Sequence, residues 1–510
     1  MTTSEFSIQT LGIVGAGAMG RGIGQIAALA GLQVRLYDTN PDAAANARTT
    51  LASTFERLVS KGRLTQDDAA AALTRVLACH SLKELADCDV VIEAIIEKLE
   101  IKCALLQQLE AIVSPSCLLA SNTSSLSITA LAAACKHPGR VAGLHFFNPV
   151  PLMKVVEVID GLRTDPHTVE SLLQLTKVMG HTPVRAKDMP GFLVNHAGRG
   201  MNTEGLRIAG EGVASFADID RVMREQAGFK LGPFELLDLT ALDVSHPVME
   251  SIYHQFYEEP RFRPSPITAI RLAGGMLGRK TGAGFYTYSD DGRPETPPEP
   301  LAPFTLPSKV WVSRAQPAAH AAVCELVRAA GSQLDNGERP APDSLIVVTP
   351  FGLDTTSAAL GEHLDPTRTV AVDTLLPLAH GRRRTLMTNP ATNHLSRDAA
   401  HALFAADGTP VTVIRDSAGF VAQRIIAMIV NIGCDIAQQR IATPRDIDLA
   451  VTLGLGYPQG PLALGDALGA AQILLILRNL QALSGDPRYR PSPWLMRRAQ
   501  LGLSLTHEES

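Results

Sequence analysis

Apolar and polar positions divide the chain into blocks of different period. The apolar run TLGIV at 10–14 reads as a strand, breaks at a glycine turn, and gives way from Ala18 to a helical stretch, AMGRGIGQIAALAG. A second strand pattern, QVRLYD, ends at Asp38. Five further strand patterns follow with helical stretches between them: DVVIEAI, CLLASNTSS, RVAGLHFF, KVVEVI and TPVRAKD. Strands alternating with helices predict a doubly wound, largely parallel sheet over 1–188. From 189 to 293 the pattern is helical. GFLVNHAGRGMNTEGLRIAGEG reads as one long helix, and SFADIDRVMREQAG as another capped by Ser215. A proline-rich stretch, PETPPEPLAPFTLPS at 294–308, reads as a linker. Strand patterns then return over 309–415 (KVWVS, DSLIVVTP, RTVAVDTLLP, TPVTVIRD), and 416–510 is helical again.

The second half repeats the first. Gly191, Asp220, Gly228, Gly232, Pro233 and Asp238 recur as Gly419, Asp448, Gly456, Gly460, Pro461 and Asp466, each 228 positions later. PRFRPSP from Pro260 returns as PRYRPSP from Pro487. Two copies of a helical domain are the simplest reading. DMPGFLVN becomes DSAGFVAQ, so Gln423 stands where the first copy has Asn195.

Composition narrows the picture. At 510 residues, about 100–200 per domain predicts three to four domains. A net charge of −5 does not suggest a nucleic-acid surface. The N-terminus lacks the basic and apolar regions of a leader peptide, and no run of about 18 apolar residues predicts a membrane span. Seven scattered cysteines without a CxxC point to reduced thiols in a cytoplasm rather than disulfides or a metal site.

Gly15, Gly17 and Gly20, with Ala18 and Met19 between them, form GxGxxG directly after the first strand. The three glycines permit a tight turn, close approach to a pyrophosphate, and close helix–strand packing. The helix that follows points free N–H groups at the phosphates. An acid at the end of the second strand accepts from ribose hydroxyls and repels a 2′-phosphate, so Asp38 favours NAD over NADP. Ligands of such sheets gather beyond the strand ends. There lie Glu97, Lys102, Ser124, His145 and Asn148.

A lone histidine such as His145, in GLHFFNPVP, is often just satisfied by a carbonyl. Glu157 interrupts the apolar strand MKVVEVI, and a buried carboxylate is costly unless paired. A strand glutamate beside a histidine makes a dyad, in which the carboxylate orients an imidazole that acts as base near neutral pH.

The segments GAGAMGRGIG, EAIIEKLEIK, ASNTSSLSI, GLHFFNPVPLMKVVEVI, DMPGFLVN, GPFELLDL and GRKTGAGFYTY, in that order over 10–290, resemble the 3-hydroxyacyl-CoA dehydrogenase family. The resemblance implies a Rossmann-like NAD-binding domain followed by an all-α domain, and an acyl-CoA thioester substrate. It implies His145 as base, Glu157 as its orienting partner, and Ser124 and Asn195 as substrate contacts. For NAD it implies Gly15, Gly17, Gly20, Asp38, Glu97, Lys102, Ser124, Asn148 and Lys280. Lys61, in the hairpin TFERLVSKGRLT, is a candidate phosphate contact, though a solvated lysine is the plainer reading. The sequence departs from the family at DLTALD, where Ala241 replaces a usual glycine.

The duplication resembles the long form of the family. Residues 309–415 then read as a degenerate Rossmann-like unit without a phosphate loop, with Asp373 at the place of His145. The second helical copy is expected to pack on 189–290 in place of a partner subunit, with further self-association left open. Stand-alone bacterial enzymes of this form act on 3-hydroxyadipyl-CoA in phenylacetate breakdown, which makes that substrate the leading expectation. The alternatives are 3-hydroxybutyryl-CoA and, from another class, a non-catalytic dinucleotide-binding protein.

Overall fold

The computed structural model describes residues 8–509. The reading of the N-terminus as free of a leader peptide rests in part on residues 1–7, outside the described residues. The chain divides into two compact units: 1–196 with 439–455, and 197–438 with 456–510.

The first unit is built on an eight-stranded sheet. Its strands are β1 (Thr10–Val14), β2 (Gln33–Tyr37), β3 (Val76–Cys79), β4 (Val90–Glu93), β5 (Leu118–Ser121), β6 (Val141–Phe146), β7 (Val155–Asp160) and β8 (Thr182–Lys187). Their order is β3-β2-β1-β4-β5-β6-β7-β8, parallel except where β6 meets β7. Side chains alternate across the sheet, so each strand feeds two cores. Val90 and Ile92 enter one core with Leu11 and Ile13, and Val91 enters the other with Val14. The strand order reverses between β1 and β4, where open sheets of this kind bind ligands.

Residues 439–455 were expected to stay with the second helical copy. Instead the helix Pro444–Leu455 packs on β7 and β8 in the first unit, and Lys187 N–H donates to the Ile441 carbonyl (2.8 Å).

The second unit holds a two-stranded ribbon, β9 (Thr287–Tyr288) with β10 (Pro294–Glu295), and a six-stranded sheet. The strands of that sheet are β11 (Lys309–Val312), β12 (Gln333–Asp335), β13 (Leu345–Val348), β14 (Thr369–Val372), β15 (Arg384–Thr388) and β16 (Val411–Ile414). The order is β12-β11-β13-β14-β15-β16, with β14–β15 antiparallel just as β6–β7 is. A strand corresponding to β4 is missing from this sheet: β11 pairs directly with β13. β15 carries Arg384, which hid its strand character in the sequence. The proline-rich stretch is tied down, since Arg383 bonds Glu299 and Arg221 bonds the Pro297 carbonyl.

The long helix expected after Gly191 is broken. A short turn of helix, Val194–Ala197, precedes the helix Arg199–Gly210. Gly200 brings the latter against the helix Val421–Gln438, where a Cβ would lie 2.9 Å from Ile429 Cα. Both repeats use one device: a Cβ on Gly205 would meet Pro233 at 2.7 Å, and one on Gly433 would meet Pro461 at 2.7 Å. Arg261 pairs with Asp435 across the repeats, and Arg488 with Glu204. Val421–Gln438 is, contrary to expectation, long and apolar enough to cross a membrane. It is 89% buried and carries Arg424, bonded to Glu204, Glu211 and Tyr489, which marks a core helix.

Candidate active site

The glycine loop begins at the end of β1. Gly15 adopts φ 104°, and a Cβ there would lie 2.5 Å from the Ala94 carbonyl oxygen. A Cβ on Gly20 would lie 1.8 Å from the Gly15 oxygen, so the helix Ala18–Leu29 can start only with glycine there. Gly17 has no neighbour within 4 Å of a built Cβ, which leaves its backbone open to a pyrophosphate. Asp38, just past β2, accepts from Ala16 N–H (2.7 Å) and Asn40 N–H (2.9 Å). These residues fit a dinucleotide: an open loop at a helix N-terminus, with a carboxylate at the second strand's end.

Beyond β4 and β5 lies a polar cluster. Glu97 Oε1 accepts from Thr123 Oγ1 (2.6 Å), Ser124 N–H (2.9 Å) and Ser125 Oγ (3.0 Å). Burial raises its carboxyl, but these bonds and the Lys102 charge outweigh that and hold it below the ordinary range. Lys102 is placed differently from expectation. Its Nζ is buried between both Glu93 oxygens (2.9 and 2.8 Å) and the Ile95 carbonyl, 3.4 Å from Glu97. The reason is Glu93, a fully buried carboxylate that needs a counter-charge. Glu93 escaped the sequence reading, although an acid closing the apolar strand VVIE was a signal. Lys280 lies in the other unit, where its Nζ bonds Asp243 (2.5 Å).

The dyad follows from strand register. His145 on β6 stands directly opposite Glu157 on β7. His145 Nδ1 and Glu157 Oε2 are 2.6 Å apart, with both side chains buried. Phe147 covers the imidazole, its ring 4.3 Å away, and Phe192 stands at 6.0 Å. Donation from Nδ1–H to the carboxylate leaves Nε2 as the proton acceptor. The second Glu157 oxygen accepts the Leu193 and Val194 N–H groups, each at 2.8 Å. That fixes the turn of helix carrying Asn195 to the strand carrying Glu157. Asn122 Oδ1 accepts from Phe146 N–H (2.8 Å), tying the Ser124 loop to β6.

A cavity of about 810 Å³ opens beside the glycine loop, between Ala18–Gln25, Thr50–Arg63 and Asn148–Leu152. Arg21, Arg57, Lys61 and Arg63 line it, so Lys61 is one of four cations rather than an isolated surface lysine. Arg57 and Arg63 share the stretch TFERLVSKGRLT with Lys61, and only Arg21 comes from elsewhere in the sequence.

In the second unit the same stations hold other residues. Asp373 replaces His145, Thr385 replaces Glu157 and Gln423 replaces Asn195, each 228 positions on. Asp373 accepts from the Gln423 amide (2.9 Å) and from the Gln226 amide (3.1 Å), and Thr385 donates to Gln226 (2.5 Å). Burial pushes the Asp373 carboxyl up to about 6, against these hydrogen bonds. The change from Asn195 to Gln423 thus serves a buried structural joint. The first unit keeps its histidine–glutamate pair intact.

The sequence profile described as "3-hydroxyacyl-CoA dehydrogenase, NAD binding domain" matches residues 10–189. The profile of the corresponding C-terminal domain matches twice, over 191–288 and 419–507. A 3-hydroxyadipyl-CoA dehydrogenase of Escherichia coli (strain K12) is 37% identical, covering 97% of this chain and 98% of its own. A crystal structure of a 3-hydroxybutyryl-CoA dehydrogenase from Escherichia coli K12 has 36% identity and a TM-score of 0.85, covering 97% of this chain and 99% of that one. An (S)-3-hydroxybutyryl-CoA dehydrogenase from Ralstonia eutropha matches 56% of this chain with all of its own, at 43% identity and a TM-score of 0.54. With the nucleotide loop, the buried dyad and the twice-matched helical domain in place, the chain belongs to the 3-hydroxyacyl-CoA dehydrogenase family.

Proposed function

We propose that this NAD-dependent 3-hydroxyacyl-CoA dehydrogenase oxidises 3-hydroxyadipyl-CoA to 3-oxoadipyl-CoA, with His145 as its base. The observation that carries the chemistry is the buried His145–Glu157 pair at 2.6 Å. His145 Nε2 takes the hydroxyl proton while Glu157 stabilises the imidazolium that results. Ser124 and Asn195 hold the substrate oxygen. The loop Gly15–Gly20 (with Ala18 and Met19) and Asp38 hold NAD, which when bound accepts the hydride. Glu97 shapes the loop carrying Ser124, and Lys102 shapes Glu97. Asn148 and Lys280 remain proposed cofactor contacts. Arg21, Arg57, Lys61 and Arg63 suit the phosphates of coenzyme A.

The adipyl reading is supported by a relative of that name that matches nearly the whole chain, duplication included. The butyryl reading has support of its own, because the structure with a TM-score of 0.85 bears that name. Comparing kcat/KM for the two thioesters decides between them. A clear preference for the dicarboxylyl substrate is expected, and equal values exclude it. We place the enzyme in the cytoplasm, in keeping with seven free cysteines, of which all but Cys103 are buried.

A further inference from the structure

The live and retired sites each receive a helix from a helical repeat. In the second unit the π-helical turn Val222–Gln226 packs on β15, and Gln226 reaches Asp373 and Thr385. In the first unit the helix Pro444–Leu455 packs on β7. The residue at the station of Gln226, 228 positions later, is Gly454.

Neighbouring residues change in the opposite sense. Val194 lies beside Gly454, and its counterpart in the second unit is Ala422. A Cβ on Gly454 would lie 2.8 and 3.0 Å from the Val194 methyls and 3.3 Å from Val155 Cγ1. The live site therefore combines no side chain at 454 with a larger one at 194. The retired site combines a glutamine with an alanine. Val194 is also the residue whose N–H, with that of Leu193, holds Glu157 Oε1.

We propose that Gly454, delivered by the second helical repeat, is a positioning residue of the His145–Glu157 dyad. Its bare backbone lets the helix seat against Val194 and Val155 without placing a side chain of its own against the dyad. A side chain there displaces the Val194 turn. A glutamine there brings an amide to the dyad, as Gln226 donates to Asp373 at the histidine's station and accepts from Thr385 at the glutamate's. The second half of the chain is then part of the live site's support and not only a substitute for a partner subunit. This rests on the reading of His145 and Glu157 as the catalytic dyad, and His145→Gln is the control that tests that reading separately.

The test uses the full-length enzyme with Gly454→Ala, Gly454→Ala/Val194→Ala and Gly454→Gln/Val194→Ala. Gly454→Ala is expected to lower kcat by about 10–100-fold, as a displacement near 1 Å does, with NAD affinity unchanged. Trimming Val194 in the double variant is expected to restore most of that loss. Gly454→Gln/Val194→Ala copies the retired unit's pairing at these two positions. It is expected to stay folded and bind NAD, with kcat lowered about 100-fold. Its kcat–pH profile should also shift its acid limb to lower pH, because an amide N–H aimed at the imidazole favours its neutral form. Wild-type kcat in Gly454→Ala, no rescue by Val194→Ala, or an unmoved acid limb in the glutamine variant each overturns the proposal. If His145→Gln retains full turnover, the dyad reading itself has failed.

Discussion

Glu157 spends one oxygen on the His145 imidazole and the other on two backbone N–H groups. Replacing His145 by Gln keeps the bulk and removes the base. The expected loss is about 10²–10⁴ in kcat, the usual worth of general-base catalysis. NAD affinity should stay as it is, because the glycine loop and Asp38 lie beyond the ends of β1 and β2. Single-turnover kinetics with a fluorescence titration of NAD check both halves. A second residue-scale consequence concerns stability. Ala241 sits at φ 63°, ψ 139°, a region where non-glycine residues cost about 1–3 kcal/mol. Its counterpart Gly469 takes φ 91°. Glycine loses about 0.5–1 kcal/mol more chain entropy on folding, so Ala241→Gly should gain a net of about 1 kcal/mol. A higher denaturation midpoint with unchanged kcat is the expected readout.

At the scale of elements, the joint between the Val222–Gln226 turn and β15 carries a titrating group. Asp373 has a folded pKa raised to about 6, with burial as the main cause. From about pH 4 to 6 the folded chain holds a proton that the unfolded chain has released. Its contribution is therefore full below about pH 4 and lost as pH rises through about 6, on the order of 3 kcal/mol. Asp373→Asn should flatten the stability–pH curve in that window, measured by chemical denaturation between pH 4 and 7. The strand pair behind the dyad was legible in the sequence because an acid in an apolar strand and a histidine in the preceding one are local anomalies. The repeat was legible because the spacing of 228 holds from Gly191 to Asp238. What a helix packs on was not. Periodicity identifies the buried face of Pro444–Leu455, but nothing local says that β7 and β8 cover it. The burial of Lys102 was hidden for a related reason, since its partner Glu93 looked like an ordinary strand end.

For the whole molecule, the second sheet has neither a counterpart of β4 nor a glycine loop after β11, where the chain reads SRAQPAAHAA. One NAD per chain is expected by calorimetric titration, and two would contradict the reading of that unit as degenerate. A fragment of residues 1–293 would lack the helix that covers β7 and β8, and the Val421–Gln438 partner of Arg199–Gly210. It is expected to dimerise or to lose solubility. Light scattering after gel filtration checks this, and a fully active monomer would rule out the second repeat as a stand-in for a partner subunit.

The placement of residues 439–455 in the first unit sets a timetable for synthesis. The first sheet emerges from the ribosome with its last strand by Lys187, but the helix that covers β7 and β8 follows only after residues 197–438 have been made. At about 5–20 residues per second that interval is roughly 10–50 s. Throughout it, an apolar face of the nascent sheet stays bare and the histidine–glutamate pair lacks its outer support. The newborn chain thus passes through a long stage in which that face waits uncovered, open to chaperones, for a helix not yet made.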